Sequence, residues 1–297
     1  MKLTFCIPSF GSAKYLLQTL ESIQLQTIPC QTIVCFGGNA PKEIRNYCKN
    51  DPNIELRTIE PDPGMVSCWN NAAAQVQTEY CSFLADDNTV CPLFAASLTS
   101  LLEEKSNAGF AFGNQNHMDA DGTIDPQQTQ ELQVHFARNH LTEGLLARES
   151  IPEILNNDSI PLEASVFRTT LVQKFGKFEN DAYGAFDIEF INRLLSADIL
   201  PYYHNDNIMN FRWHNDAYCS RQRRQHLEGI LWVYETLAKN QTPYRQIFLD
   251  RASNLRPRRL RYPMDLMKRI RLSSALIING QSIEMLKQNI AKLINRP

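Results

Sequence analysis

Apolar segments with strand character alternate with segments of helical period along the first part of the chain. Strands are predicted at residues 3–7, 32–36, 54–59 and 80–84, and helices at residues 13–26, 41–49 and 66–75. Repetition at this spacing predicts parallel strands, because parallel neighbours need a crossover connection that returns over the sheet. We therefore expect an α/β fold with a mostly parallel sheet and helices on both faces.

The second half of the chain has a less regular pattern. It predicts helices at residues 92–104, 169–175, 186–195 and 222–238, and strands at residues 109–112, 165–168, 202–204 and 209–213. The segment 115–133 is polar and rich in turn-forming residues, so we expect a loop there that could act as a lid over a site.

The fourth predicted strand ends abruptly on Asp86, Asp87 and Asn88. Ligands of open α/β sheets bind beyond the carboxyl ends of the strands, and clustered carboxylate oxygens suit a divalent cation. The same three residue types are also common in turns, so taken alone they leave a ligand site and a simple turn equally supported.

Composition narrows the class of protein. A formal net charge of −2 provides no global field that would attract nucleic acid. The eight cysteines include no Cys-x-x-Cys pair, which favours buried free thiols in a reducing compartment. The apolar run at the amino end is too short for a signal peptide, and no stretch reaches the roughly 18 apolar residues of a membrane span. We therefore expect a cytoplasmic protein.

Several motifs follow one another in an order that resembles a known family. They are Ile7-Pro8-Ser9-Phe10, Asp62 to Ala72, Phe83 to Asp87, Phe167 to Phe178, Phe186 to Glu189 and Arg212-Trp213-His214. Together they resemble the inverting nucleotide-sugar glycosyltransferases of family two, which have the GT-A fold. The resemblance extends from Leu3 to about Ser220 and implies a Rossmann-like sheet.

The resemblance implies a nucleotide-diphosphate sugar as donor and a glycan or lipid-linked glycan as acceptor. It places the donor-binding residues at Pro8, Ser9, Phe36, Asn39, Asp62, Asn70 and Asp86. It places the acceptor-binding residues at Glu163, Arg168 and Glu189. Glu189 has a second interpretation, as the partner of an arginine on the same helix.

The resemblance also implies a divalent metal, Mn²⁺ or Mg²⁺, bound by Asp87 and His214. The cation would stabilise the charge of the departing diphosphate, and an imidazole ligand favours manganese over magnesium. Without the resemblance, a hydrogen-bonded loop histidine would be the simpler interpretation of His214.

Asp187 matches the position of the general base in this family. Inversion needs a carboxylate that takes the proton of the acceptor hydroxyl as that hydroxyl attacks the sugar. Amide groups at the start of a helix would favour the ionised form of Asp187 at pH 7. The alternative interpretation is a helix cap, the common role of aspartate at such a position.

The sequence departs from the family pattern after the second strand. Phe36 occupies a position where the family usually has an aspartate that recognises the nucleobase, and Ala85 occupies another that is often acidic. Phenylalanine can pack on a base but cannot accept a hydrogen bond from the N–H of its imide, so the sequence does not predict which base is recognised. Asn39 and Asp62 are both candidates to replace the aspartate, and the sequence does not choose between them.

A basic amphipathic segment occupies residues 251–271. Eight arginines and lysines face the single acid Asp265 there, which gives a local charge of +7. Such a segment suits an anionic membrane surface, and a helix packed on the protein explains it equally well. Nucleic acid is not expected as a partner. The predicted domains are a GT-A domain at residues 1–220 and a helical extension at residues 221–297.

These features together predict a metal-dependent inverting glycosyltransferase for cell-surface polysaccharides. The basic segment adds the prediction of a peripheral position on the inner face of the cell membrane. Two alternatives stay open. One is a catalytically silent subunit that binds sugar nucleotides or supports assembly, which the Phe36 departure permits. The other is a nucleotidyltransferase, although that class needs a glycine-rich basic loop after the first strand, where this chain has only Gly11 and Lys14.

Overall fold

The computed structural model describes residues 1–11, 13–217, 221–240 and 242–259. The chain divides into two compact units, Met1–Leu255 and Arg256–Pro297. Most of the second unit lies outside the described residues, and the fold described below is that of the first unit.

A mixed sheet of ten strands forms the centre of the first unit. The strands are β1 (Leu3–Phe10), β2 (Gln31–Gly37), β3 (Ile54–Ile59), β4 (Tyr80–Phe83), β5 (Thr89–Val90), β6 (Phe110–Met118), β7 (Ile124–Asp125), β8 (Gly144–Leu145), β9 (Ser165–Arg168) and β10 (Pro201–Arg212). Their order is β3-β2-β1-β4-β9-β6-β10-β5, with β7 beside β6 and β8 beside β10. Strands β1 to β4 are parallel, and β9 runs antiparallel between β4 and β6. The strand that ends at the acidic residues is therefore central, as predicted.

Helices cover both faces of this sheet. They are α1 (Leu16–Gln24), α2 (Lys42–Asn50), α3 (Met65–Ala73), α4 (Phe94–Glu104), α5 (Pro126–His135), α6 (Ile151–Asn157), α7 (Thr169–Phe175), α8 (Phe186–Ser196), α9 (Arg223–Leu237) and α10 (Arg245–Arg259). A 3-10 helix, Asn180–Ala185, leads directly into α8. The predicted α/β class with a mostly parallel sheet is confirmed.

Side chains that alternate along the strands form two hydrophobic cores, one on each face. On β2, Val34 and Phe36 join the core that contains Leu16 of α1, whereas Cys35 joins the core that contains Trp69 of α3. This alternation follows from the two-residue period of a strand. Both faces of the central strands are thus buried, as parallel sheets require.

Two predictions about the second half are wrong. The polar segment 115–133 is not a loop, because β6 continues to Met118 and α5 begins at Pro126. Polar side chains are tolerated on β6 because they find partners, for example Asn116 Nδ2, which donates to Asn210 Oδ1 on β10 at 2.8 Å. The two strands predicted at 202–204 and 209–213 are one strand, β10, whose pairing with β6 is irregular between Tyr203 and Met209.

Helix α9 and the part of α10 up to Leu255 belong to the first unit. Tyr234 of α9 and Phe248 of α10 are buried in the core on the α3 face. The first residue of the predicted basic segment, Arg251, pairs with Asp158 at 2.5 Å and lies 4.4 Å from the centre of the Tyr234 ring. This favours the packed-helix interpretation for Arg251. Residues 260–271 of the segment lie outside the described residues, so the membrane interaction stays a prediction. The domain division at residue 220 also stays a prediction.

Two findings concern the cysteines and the hydrophobicity of the helices. Every cysteine within the described ranges is a free thiol, and all of them except the half-buried Cys91 are buried. Among the described residues, no helix has the length and apolar character needed to cross a membrane.

Arg168, predicted to bind the acceptor, lies away from the acidic residues. It pairs with Tyr80 at the amino end of β4, whereas the acidic residues follow the carboxyl end of the same strand. Its guanidinium donates to Leu102 O at 2.6 Å and to Ala108 O at 3.0 Å, and so ties the end of α4 to the sheet. The structure gives Arg168 a structural role at the opposite edge of the sheet.

Replacing Arg168 with methionine should therefore lower the free energy of unfolding by about 1–3 kcal/mol, because two carbonyl groups lose a charged donor. Urea unfolding measures this change. Lys105→Met removes the same charge from an exposed side chain nearby and should change stability by less than about 0.5 kcal/mol. Equal stability of the two variants would contradict the structural role.

Candidate active site

The acidic residues lie at the carboxyl edge of the sheet, in the turn between β4 and β5. Asp86 accepts a hydrogen bond from the hydroxyl of Ser9, a buried residue near the end of β1. Pro8, beside Ser9, is also buried, and it pairs with Cys35 of β2. The adjacent ends of two parallel strands thus hold Asp86 at the edge where ligands of such sheets bind.

Asp87 and His214 face each other although they are far apart in the sequence. His214 Nε2 lies 3.0 Å from Asp87 Oδ2. The His214 side chain is 9% exposed and that of Asp87 is 24% exposed, and the imidazole also packs against the Tyr15 ring at a centroid distance of 5.0 Å. The pair therefore places one nitrogen atom and one oxygen atom, both able to bind a metal, where the side chains are largely buried but still reach solvent.

A buried arginine fixes this pair. Arg212, at the end of β10, is 2% exposed, and its Nε donates to Asp87 O at 2.7 Å. Its backbone N–H donates to Asn88 Oδ1 at 2.7 Å, and its guanidinium donates to Gln18 Oε1 at 2.6 Å and lies over the Tyr15 ring. These contacts join β10 to the acidic turn and to α1, so they set the position of His214 two residues later.

Glu163 is the third acid of the site and precedes β9. Its Oε2 accepts hydrogen bonds from Asn88 Nδ2 at 2.6 Å and from the Ala85 N–H at 3.0 Å. Because β9 is antiparallel to β4, the start of β9 lies beside the end of β4. Glu163 therefore supports the acidic turn from the side opposite Ser9.

Two acids of this cluster, Asp86 and Glu163, resist ionisation. Burial, together with the negative charge of Asp87, raises the pKa of Asp86 to about 7 and that of Glu163 to about 8. The charge of Asp187 also raises the pKa of Glu163, so Asp187 lies close enough to affect the ionisation of this acid. Such a site favours a bound cation, because positive charge relieves both the desolvation and the mutual repulsion.

Asp187 lies in the first turn of α8. The helix begins at Phe186, and Ala185, not Asp187, occupies the cap position. Asp187 Oδ1 accepts a hydrogen bond from the Ile188 N–H at 2.8 Å. Burial outweighs this amide and raises the pKa of Asp187 to about 6, so the carboxylate is mostly ionised at pH 7. A pKa just below the working pH suits a general base.

The predicted base-recognition residues are only partly brought to the site. Phe36 is 1% exposed in the core on the α1 face, so it cannot pack on a ligand. Asn39 is exposed and accepts a hydrogen bond from Arg45 at 2.7 Å. Asp62 instead lies against Gly37, where an added Cβ would be 2.0 Å from Asp62 Oδ1. An Asp62 carboxylate therefore occupies the space beyond β2 that a side chain at position 37 would fill.

Two further predicted residues have structural partners. Asn70 Nδ2 donates to Phe178 O at 3.0 Å, and Asn70 Oδ1 accepts from the Phe178 N–H at 2.8 Å, so this amide joins α3 to the segment after α7. Glu189 is buried and binds Arg193 at 2.8 and 3.0 Å. The second interpretation of Glu189, as an arginine partner, fits the structure, and the substrate-binding roles of both residues stay predictions.

The residues present fit a divalent cation in part. His214 Nε2 and Asp87 Oδ2 are within hydrogen-bond distance of each other at 3.0 Å, and the same two atoms would be the protein ligands of a divalent cation. The described residues contain no group of three or more His, Cys, Asp or Glu side chains arranged as a metal site. Protein alone would thus supply two ligands, which leaves positions for diphosphate oxygens and water.

Four residues that shape this site receive no role from the sequence pattern. Two of them, Arg212 and Asn88, lie in predicted motifs, and each makes several buried hydrogen bonds in the structure. Gly37 leaves room for Asp62, and Phe10 is a 60% exposed aromatic ring at the end of β1 that pairs with Gly37. Only the side-chain contacts of the folded chain reveal these roles.

Two solved proteins have a fold similar to that of this chain. TarS 1-349 of S. aureus matches with a TM-score of 0.62 and 15% identity, over 86% of this chain and 71% of that one, and the same protein has been solved with UDP and with UDP-GlcNAc. The mannosyltransferase PcManGT of Pyrobaculum calidifontis, solved with GDP-Man and Mn²⁺, matches with a TM-score of 0.63 and 13% identity, over 100% of this chain and 81% of that one. At these identities the likeness establishes the GT-A fold.

A sequence search finds no match among curated proteins. The profile of Glycosyl transferase family 2, however, matches residues 4–159, which is more than half of the chain and includes the acidic turn. The chain therefore belongs to glycosyltransferase family 2 and is a nucleotide-sugar glycosyltransferase.

Proposed function

We propose that this protein is a metal-dependent inverting glycosyltransferase that moves a sugar from a nucleotide-diphosphate sugar to a hydroxyl group of a glycan or glycolipid. The observation that carries the proposal is the pair Asp87 and His214, whose donor atoms lie 3.0 Å apart at the carboxyl edge of the sheet. A bound cation there, Mn²⁺ or Mg²⁺, would supply Lewis-acid stabilisation of the departing diphosphate.

The chain's own residues prepare the site for the donor. Arg212 and Glu163 hold the acidic turn so that Asp87 faces His214. Ser9 orients Asp86, whose second oxygen is then the candidate to bind the ribose or a water molecule on the metal. Because the chain's own residues make these contacts, little reorganisation would accompany donor binding.

Recognition of the nucleobase is proposed for Asp62 and Phe10. The Asp62 carboxylate lies beside Gly37 at the end of β2, where it can accept a hydrogen bond from the N–H of a base imide. Phe10 offers an exposed ring on the neighbouring strand. Both uracil and guanine carry a ring N–H that can donate to this carboxylate, which is consistent with the UDP and GDP-Man bound by the two structural relatives.

Asp187 is proposed as the general base of the inverting reaction. Its half-buried carboxylate, with a pKa of about 6, would accept the proton of the acceptor hydroxyl as the hydroxyl attacks the sugar. The negative charges of Asp187 and Asp87 both raise the pKa of Glu163. This supports placing the proposed base and the proposed metal ligand near the same buried acid.

The wider role is proposed from the acceptor class. A lipid-linked acceptor would place the protein at the inner face of the cell membrane during polysaccharide synthesis. The basic segment at residues 251–271 supports this location through its charge, at about 1 kcal/mol for each basic residue near an anionic surface.

Asp87→Ala should lower kcat/KM for donor hydrolysis by at least about 100-fold, because the diphosphate loses its cation. The assay measures donor hydrolysis across UDP- and GDP-sugars with added Mn²⁺ or with EDTA. Asp121→Ala, which removes an exposed carboxylate from the turn after β6, should retain activity. Turnover that persists in EDTA would contradict the metal-dependent mechanism.

Asp187→Asn should lower kcat by about 10²–10⁴-fold while the Kd for the donor changes by less than about twofold, because only the proton acceptor is lost. In the wild-type protein, kcat/KM should fall about tenfold per pH unit below the pKa of about 6, where the base is protonated, and should level off above it. Asp181→Asn, an exposed residue of the preceding 3-10 helix, is the matched control. Unchanged transfer in Asp187→Asn would remove this residue from the mechanism.

Glu163→Gln should stabilise the metal-free protein relative to wild type, and this gain in stability should be larger at pH 8.5 than at pH 5.5. The pKa of Glu163 rises from 4.5 to about 8 on folding, so the folded protein keeps a proton that the unfolded chain releases above about pH 4.5. The stability that the neutral acid contributes is therefore fully present below about pH 4.5, and it is lost progressively as the pH rises from there through about 8. Compared with wild type, the variant should gain about 2–4 °C in Tm between the two pH values.

Calorimetry at both pH values checks this prediction. Glu153→Gln, at an exposed position of α6, should show no pH-dependent difference from wild type. The prediction fails if Glu163→Gln and wild type keep a constant Tm difference across the range.

A further inference from the structure

Trp213 is a large exposed aromatic residue at the candidate site. Its side chain follows the end of β10, directly between the buried Arg212 and His214, and it is 58% exposed. The other two tryptophans differ, because Trp69 is buried and Trp232 is half-buried. An exposed tryptophan leaves apolar surface in contact with water, and beside a binding site such surface points to a ligand.

The backbone and rings around Trp213 hold it in place. The backbone N–H of Trp213 donates to Met118 O at 2.7 Å, so the chain is still paired with the end of β6 at this residue. The His117 ring lies nearly parallel to it, with centroids 6.2 Å apart and an interplanar angle of 29°, and the Phe211 ring lies at 6.4 Å. The indole is therefore a pre-ordered surface, and little conformational entropy would be lost when a ligand covers it.

The strand order separates this aromatic surface from the proposed nucleobase residues. Phe10 and Asp62 lie at the ends of β1 and β2, on one side of the acidic turn that follows β4. Trp213 and His117 lie at the ends of β10 and β6, which are placed on the other side of β4 in the sheet. Both groups share the carboxyl edge, so a donor on the first side leaves the second side for the acceptor.

We infer that the indole of Trp213 is a platform on which a pyranose ring of the acceptor lies. A pyranose presents C–H groups on its face and hydroxyl groups around its rim, which matches an aromatic plane bordered by polar groups. The Trp213 indole N–H can donate a hydrogen bond to a hydroxyl group of that rim, whereas Nδ1 of the neighbouring His117 is buried. The inference rests on the proposed function and adds a specific acceptor-binding residue to it.

Tryptophan fluorescence tests the platform directly. The full-length protein is titrated with the methyl glycosides of glucose, galactose, mannose and N-acetylglucosamine, in the presence of Mn²⁺ and UDP or GDP. At least one glycoside should shift the emission to shorter wavelength and protect the exposed tryptophan from acrylamide quenching. Trp213→Phe should abolish this response, and Trp232→Phe should retain it.

Transfer kinetics supply the second readout. In Trp213→Ala, the KM for the responding glycoside as acceptor should rise about fivefold or more, as expected for the loss of one stacked aromatic contact. Trp213 is exposed, so this substitution should leave the thermal unfolding temperature close to that of wild type.

The outcomes separate the two proposals. Donor hydrolysis by the wild-type protein without acceptor reports on the proposed function alone, and its absence would count against that function. The platform is overturned if no glycoside changes the emission, if Trp213→Phe still responds, or if UDP or GDP alone produces the full change, which would assign the indole to the nucleotide.

Discussion

The buried guanidinium of Arg212 is the interaction on which the candidate site depends. It bonds the backbone of Asp87 and the side chain of Gln18, and it lies over Tyr15, so it joins β10, the acidic turn and α1 at one point. A buried cation is costly unless it is paired or fully hydrogen-bonded, and here backbone carbonyls supply most of the acceptors. The carboxylates of the turn therefore stay available while the turn itself is fixed, and His214 is brought to Asp87.

The acidic cluster stores an electrostatic cost in the folded protein. Asp86, Glu163 and Asp187 all have a raised pKa, chiefly because burial disfavours their ionised forms. A fold does not need such a cluster for stability, since neutral residues of similar size would pack without repulsion. The arrangement is reasonable for a site that accepts positive charge and a proton, and this is the physical link between the geometry and glycosyl transfer by a family 2 enzyme.

Local pattern predicted the strands and helices of the first half because their apolar side chains recur with the period of the element and face the core, as Leu16, Leu20 and Ile23 do in α1. It failed for residues 115–133, where a polar strand is satisfied by polar partners on β10 that lie far away in sequence. The same limit applies to the site. Arg168 and Asn70 carry the right chemistry for a ligand, but their donors are used by carbonyl groups of distant segments. No local signal distinguishes a free polar side chain from an engaged one.

The sequence by itself determined the α/β class, the central strand that ends in Asp86 and Asp87, and the family, because these depend on residue order and short-range periodicity. Only the tertiary structure decided which polar groups meet. The 3.0 Å approach of His214 to Asp87, and the choice of Asp62 over Asn39 beside Gly37, depend on how strands and loops cross at the sheet edge. The physical reason is that such contacts are set by packing between segments distant in the chain, which leave no mark on local sequence pattern.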